Sequence, residues 1–135
     1  SNYTMHVAWQ EGLTWLRQVP HLEMERLYRE HDVFLLPSQA EGYGMSVIEA
    51  MSCGLPVVVS SVGPLPEIVC DGAGFIIKPD DVQALCDSLT TLISLPEIRR
   101  KMSMTARNCF LHFHEINATN ILLKQVYEQA LGVSA

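Results

Sequence analysis

No run of apolar residues in this sequence comes near the about 20 that a helix needs to cross a bilayer, which excludes a helical membrane span within these 135 residues. Nothing in it reads as a signal peptide, and a cytoplasmic location is expected. Basic residues are scarce. Nine Lys and Arg against fifteen Asp and Glu leave a net charge of −6, so no general attraction to nucleic acid or anionic lipid is expected. Any phosphate site must therefore be local. Cys53, Cys70, Cys86 and Cys109 lack both a Cys-x-x-Cys pair and zinc-finger spacing, and they are expected to be reduced, small, buried side chains. Repeats, low-complexity tracts and internal linkers are also missing, and 48% hydrophobic with 18% charged residues is the mixture of one globular domain.

The first two thirds of the chain alternates strand-like with helix-like runs, the pattern of βαβ units and a parallel sheet, and the last third reads as helices alone. A strand is expected within 13–19. A short helix follows over 22–30, with Leu22, Met24, Leu27 and Tyr28 facing inward and Glu25–Arg29 and Arg26–Glu30 paired one turn apart on the outside. Asp32 to Leu36 reads as a buried strand ended by Pro37. Met45 to Cys53 reads as a helix with Met45, Ile48 and Met51 apolar and Gly54 to stop it. Val57-Val58-Val59 is the clearest strand. Residues 63–69 read as a loop entering one helical turn, 71–74 as a turn, and Phe75-Ile76-Ile77 as a strand. Asp80, with Gln83 three residues on, is a candidate cap for a helix carrying Val82, Leu85, Cys86, Leu89, Leu92 and Ile93 on one stripe. A helix from Pro96 to about Phe110 and a last one over 116–131 complete the chain. The fold class is thus α/β, a Rossmann-like parallel sheet with flanking helices and a helical C-terminal tail. One partial domain, 1–135, divides into a lead-in strand and helix (1–31), a core (32–79) and C-terminal helices (80–135).

Ligands of open α/β sheets bind beyond the carboxyl ends of strands, where helix N-termini favour anions. Three junctions qualify, at 19–22, 37–45 and 60–66, and the second is the richest. Its Glu41-Gly42-Tyr43-Gly44-Met45-Ser46 run joins a strand to a helix through two glycines that let backbone amides approach a ligand closely. Glu41 and Glu49 bracket it, and two acceptor-only groups at this spacing could hold sugar and ribose hydroxyls while the amides between them meet phosphates. Acidic residues near a helix N-terminus also stabilise the helix dipole by about 0.3 to 1 kcal/mol, and spacing alone favours that plainer role.

The run from Asp32 to Asp81 is more specific, and it resembles the nucleotide-sugar-binding C-terminal domain of family 4 glycosyltransferases, the group 1 retaining enzymes of GT-B fold. The resemblance is carried by Glu-x7-Glu at Glu41 and Glu49, Pro37-Ser38 at the strand end, and Glu49-Ala50-Met51 running into Gly54-Leu55-Pro56-Val57. It continues through Gly63, Pro66-Glu67-Ile68-Val69 and the turn before Gly74. It implies that Glu41, the candidate catalytic residue, contacts the donor sugar and that Glu49 contacts the ribose. Gly42, Tyr43, Gly44, Met45 and Ser46 would form the rest of the donor site, with Val19, Pro20 and His21 near the base. The implied reaction moves a sugar from a nucleoside diphosphate sugar to an acceptor hydroxyl with retention, with no cofactor and no obligatory metal.

Two departures from the family stand out. The Arg and Lys that clamp the diphosphate, and the N-terminal domain carrying most of the acceptor site, are not found in this sequence, so the chain alone is expected to be inactive and to need that domain as partner. Gly63-Pro64 also stands where the family usually has two glycines.

Other features are weaker. Gly42-x-Gly44 half-matches a dinucleotide fingerprint without its third glycine. His112 and His114, two apart, point different ways on a helix and make a poor metal pair. Arg99, Arg100, Lys101 and Arg107 fit either peripheral contact with an anionic membrane or a solvated face, and the net charge favours the latter. The wide apolar stripe of the last helix predicts a homo-oligomer formed through it. A non-catalytic Rossmann-like binding or assembly module is the alternative from another class.

Overall fold

Three parallel strands, β1 (Phe34–Leu36), β2 (Val57–Ser60) and β3 (Gly74–Ile77), lie in the order β1-β2-β3. This is a computed structural model that describes residues 12–14 and 16–115. Register is set by Phe34 opposite Val57 and by Val57 opposite Gly74. The helices are α1 (His21–Glu30), α2 (Met45–Ser52), α3 (Leu65–Ile68), α4 (Val82–Ser94) and α5 (Pro96–Cys109), and a π-helical turn follows over Phe110–His114.

The central strand explains the layering. All four residues of β2 are buried, because a parallel sheet with helices on both faces leaves its middle strand no polar side, and β-branched valine suits that pleat. Val57 and Val59 point into the larger core with Val47, Met51, Leu65 and Ala106. Val58 points to the other face, where Ile77 and Leu92 meet Leu85 and Met102. The site-bearing helix α2 is therefore held by the larger core through Val47, Ala50 and Met51.

Several sequence expectations require correction. Residues 13, 14 and 16–19 form no strand; the chain enters α1 as irregular backbone. Leu22 is 93% exposed, because the face that packs is set by Met24, Leu27 and Tyr28. On α2 the inward set is Val47, Ala50 and Met51, and Met45 is exposed, since position 45 sits at the rim where the loop meets the helix. Asp81, and not Asp80, caps α4, its Oδ1 accepting from the Ala84 amide at 2.9 Å. Asp80 instead takes a positive φ of 62° and accepts from Gln39 at 3.0 Å. Val82, Cys86 and Ile93 face outward on α4, where Ala84, Leu85, Ser88 and Leu92 pack inward instead.

The expectation of reduced cysteines fails for one pair, and that of burial fails for Cys86. Cys70 and Cys109 are joined by a disulfide with Cα atoms 6.0 Å apart, although 39 positions separate them. No local spacing rule reaches that far. Cys53 and Cys86 are free, and Cys86 is exposed. Both predicted α1 ion pairs form, Arg29–Glu25 at 2.8 Å and Arg26–Glu30 at 3.4 Å. The last predicted helix, over 116–131, and the self-association expected from it lie outside the described residues.

Candidate functional site

Both E-x7-E carboxylates are positioned by α2, one before its N-terminus and one on its flank. At the head of the helix the chain turns through Gly44, whose φ of 68° is left-handed, a conformation that costs a side-chain-bearing residue about 1 to 2 kcal/mol. A Cβ there would also fall 2.6 Å from Ile68 Cδ1, so α3 rests directly on this turn. The result is a curl of successive amides. Its present occupant is the protein itself: Oε1 of Glu41 accepts from the amides of Gly42 at 3.0 Å, Tyr43 at 3.3 Å and Gly44 at 3.1 Å. Three N–H groups converging on one oxygen define an anion-binding cradle. The amides of Val47 and Ile48 bond back to the Gly44 carbonyl, and no side chain caps the helix.

Those bonds hold the Glu41 carboxyl below its ordinary value of 4.5, with the Gly44 amide the largest cause, then that of Tyr43; partial desolvation opposes them and the Gly42 amide adds the least. A carboxyl depressed in the folded state supports that state above its unfolded pKa and loses this contribution as pH falls through the folded pKa. In an acid titration followed by NMR, the amide shifts of Gly42, Tyr43 and Gly44 should move together with a midpoint below 4.5, and Glu41→Gln should abolish the step. Independent midpoints for the three amides would refute a shared acceptor.

Glu49 sits one helical turn beyond Met45, about 6 Å along the axis. It lines a cleft of about 270 Å³ between α1 and α2, together with His21, Met24, Glu25, Tyr28 and Ser52. Its Oε2 accepts from the Tyr28 hydroxyl at 3.1 Å. The structure thus brings Glu49 and His21 to one cleft, while Val19 and Pro20 lead into α1 without lining it. Glu41, Gly42, Tyr43, Gly44, Met45 and Ser46 lie at the helix head and do not line that cleft. Tyr43 is 82% exposed, and a Cβ on Gly42 would meet nothing within 4 Å, so the outer side of the cradle is open.

The third junction closes the site from behind. Gly63 adopts φ of 52°, and a Cβ on it would lie 2.2 Å from the Glu41 carbonyl oxygen. The loop after β2 therefore packs its backbone on the backbone of the Glu41 loop. Pro64, the departure noted in the sequence, takes φ −80° and ψ −4°, which proline adopts freely, and it offers the loop no amide donor.

Sequence reasoning placed Tyr28 in the core and overlooked its hydroxyl. The missed signal is the set His21, Met24, Glu25 and Tyr28, spaced i, i+3, i+4, i+7. Because two of its members are polar, a search for apolar periodicity passes over it. Of the basic side chains of α5, Arg99 donates to the Leu92 carbonyl at 2.7 Å, Arg100 pairs with Glu97 on the surface, and Arg107 donates to the Ser52 carbonyl while lying over the Phe110 ring. His114 lies 3.1 Å from the Ile68 carbonyl through Nε2. Among the described residues no group of three His, Cys, Asp or Glu side chains is placed to hold a metal, and no helix is long and apolar enough to cross a membrane.

A family model described as glycosyl transferases group 1 matches residues 5–109. The chain belongs to that family. Among curated relatives, O-antigen chain mannosyltransferase B of Escherichia coli is 42% identical over 109 residues, covering 75% of this chain and 28% of that protein. Sucrose-phosphate synthase from Thermosynechococcus elongatus superimposes with a TM-score of 0.76 at 29% identity, covering 90% of this chain and 31% of that one. The C-terminal domain of a group 1 glycosyl transferase from Francisella tularensis gives 0.67 at 27% identity, covering 77% of this chain and 53% of that one. The parallel sheet and its flanking helices are thus those of a GT-B glycosyltransferase domain. This group 1 chain spans 22 to 28% of the length of the first curated relatives it matches.

Proposed function

We propose that this chain forms the donor-binding portion of a retaining glycosyltransferase that uses a nucleoside diphosphate sugar. The observation that carries the reading is the amide cradle at the head of α2 with Glu49 one turn below it on the wall of the α1–α2 cleft. One nucleotide can touch both. The diphosphate would take the place of the Glu41 carboxylate on the amides of Gly42, Tyr43 and Gly44, beside Met45 and Ser46. Glu41, freed by that exchange, would turn to the donor sugar. Glu49 would accept from ribose hydroxyls, and the base would lie toward His21.

In the reaction the bond from the anomeric carbon to the diphosphate breaks and the acceptor hydroxyl oxygen bonds to that carbon on the same face, passing its proton to an oxygen of the departing diphosphate. Negative charge grows on the departing diphosphate, and fixed amide dipoles stabilise it without reorganising. The role requires no metal ligand from this chain. Without the cationic clamp of the family, and with a charge contact commonly contributing about 2 to 5 kcal/mol, donor affinity for the isolated chain is expected near millimolar. Activity is not expected from it alone.

Titration with UDP, GDP and ADP sugars, followed by backbone amide NMR, should shift Gly42 to Ser46 and Glu49 as one contiguous set. Shifts scattered over the surface, or none at high millimolar ligand, would exclude a formed donor site and favour the assembly-module reading.

A further inference from the structure

Resting on that donor-site reading, we propose that Tyr28 is a positioning residue that aims the Glu49 carboxylate at the ribose hydroxyls. A glutamate on the flank of a helix has three rotatable side-chain bonds and several staggered directions open to it. Here it has one. The Tyr28 hydroxyl donates to Oε2 at 3.1 Å, across 21 positions of sequence and from a different helix.

The tyrosine is itself fixed. It is 6% exposed, and its ring meets that of Phe34 edge-on, with centroids 5.8 Å apart and planes 70° apart. Phe34 begins β1, so the chain of contacts runs from the sheet through two rings to the carboxylate. Both Tyr28 and Glu49 line the α1–α2 cleft.

The chemistry of the donor matters as much as its place. A lysine or arginine here would neutralise the carboxylate and compete with the ligand for it. Arg29, next to Tyr28 on α1, is committed to Glu25 through two bonds of 2.9 and 2.8 Å, and Arg107 to the Ser52 carbonyl. A phenol donates one proton and leaves the negative charge in place, so the remaining lone pairs of Glu49 can accept from a pair of hydroxyls. Burial, followed by the bond to Glu49, pushes the Tyr28 hydroxyl up to about 12, and it remains a donor throughout the neutral range.

A tyrosine that only packed would not sense whether the ligand carries a 2′-hydroxyl. The test therefore pairs UDP, GDP and ADP with their 2′-deoxy counterparts, titrated into the full 135-residue chain by NMR. The native protein should prefer the ribonucleotide. Tyr28→Phe keeps the ring and should weaken the ribonucleotide roughly five- to tenfold while leaving the deoxynucleotide nearly unchanged. Glu49→Gln should erase the preference, and Tyr28→Phe added to it should change nothing further. If Tyr28→Phe fails to fold, 4-aminophenylalanine at position 28 retains both ring and donor and should preserve the preference.

The proposal is overturned if Tyr28→Phe keeps the native preference, or if it weakens both nucleotides equally. Loss of the preference with 4-aminophenylalanine in a folded protein would overturn it too. A native protein that binds no nucleotide at these residues would instead sink the donor-site reading on which the proposal stands.

Discussion

Gly63→Ala is expected to destabilise the fold by about 2 to 4 kcal/mol and to disturb the amide cradle at the same time. Two causes add. The left-handed backbone, φ 52°, accounts for about 1 to 2 kcal/mol with any L side chain. The rest comes from space, because the new Cβ would lie 2.2 Å from the Glu41 carbonyl oxygen. That atom is backbone and cannot rotate away, so the loop carrying Glu41 must move. Urea denaturation gives the stability change, and the amide shifts of Gly42, Tyr43 and Gly44 report the displacement. A loss near 1 kcal/mol with those three shifts unmoved would mean that only the dihedral strain applies. The two loops would then not be packed as described.

That contact shows what a linear reading can and cannot reach. The glycines of 42–44 and the acids at 41 and 49 were legible because strand, loop and helix follow one another in sequence, and each local rule concerns neighbours. The strands at 34–36, 57–60 and 74–77 were legible for the same reason. What escaped depends on residues far apart. Gly63 pressing on Glu41, Tyr28 bonding Glu49, and Cys70 meeting Cys109 are all decided by how elements pack. Even within one helix, Asp80 and Asp81 are equivalent as caps on paper, and the positive φ that turns Asp80 away toward Gln39 comes from the path of the chain out of β3. Glu41 is a different case: its place in the loop was foreseen, but not that its own carboxylate would occupy the amides proposed for a ligand. An anion cradle attracts the nearest anion, and here that is the side chain directly preceding the three amides.

The second large effect is expected from reduction. The Cys70–Cys109 bond ties the segment between α3 and β3 to the end of α5. Closing a loop of 39 positions restricts the unfolded chain by about 4 kcal/mol in the chain-entropy account. Dithiothreitol should lower the denaturation midpoint accordingly, and Cys70→Ala should do so without reductant. Thiol titration of the unreduced, denatured chain should count the two free cysteines, Cys53 and Cys86. Four reactive thiols before reduction, together with an unchanged midpoint after it, would show that the bond does not form. Because α3 also bears on Gly44 through Ile68, reduction should loosen the cradle as well as the fold, with the amides of Gly42 to Gly44 exchanging faster.

Arg107 holds the carbonyl at the tail of α2, where a cation also opposes the negative end of the helix dipole, while α3 bears on the head. A short helix of eight residues would fray if left to itself. Clamped at both termini, its backbone would meet a ligand already ordered, so that only the Glu41 side chain has to move and little backbone entropy remains to be surrendered on association. Pre-organisation of this kind would let a modest number of contacts, made largely by peptide groups, discriminate among ligands by shape.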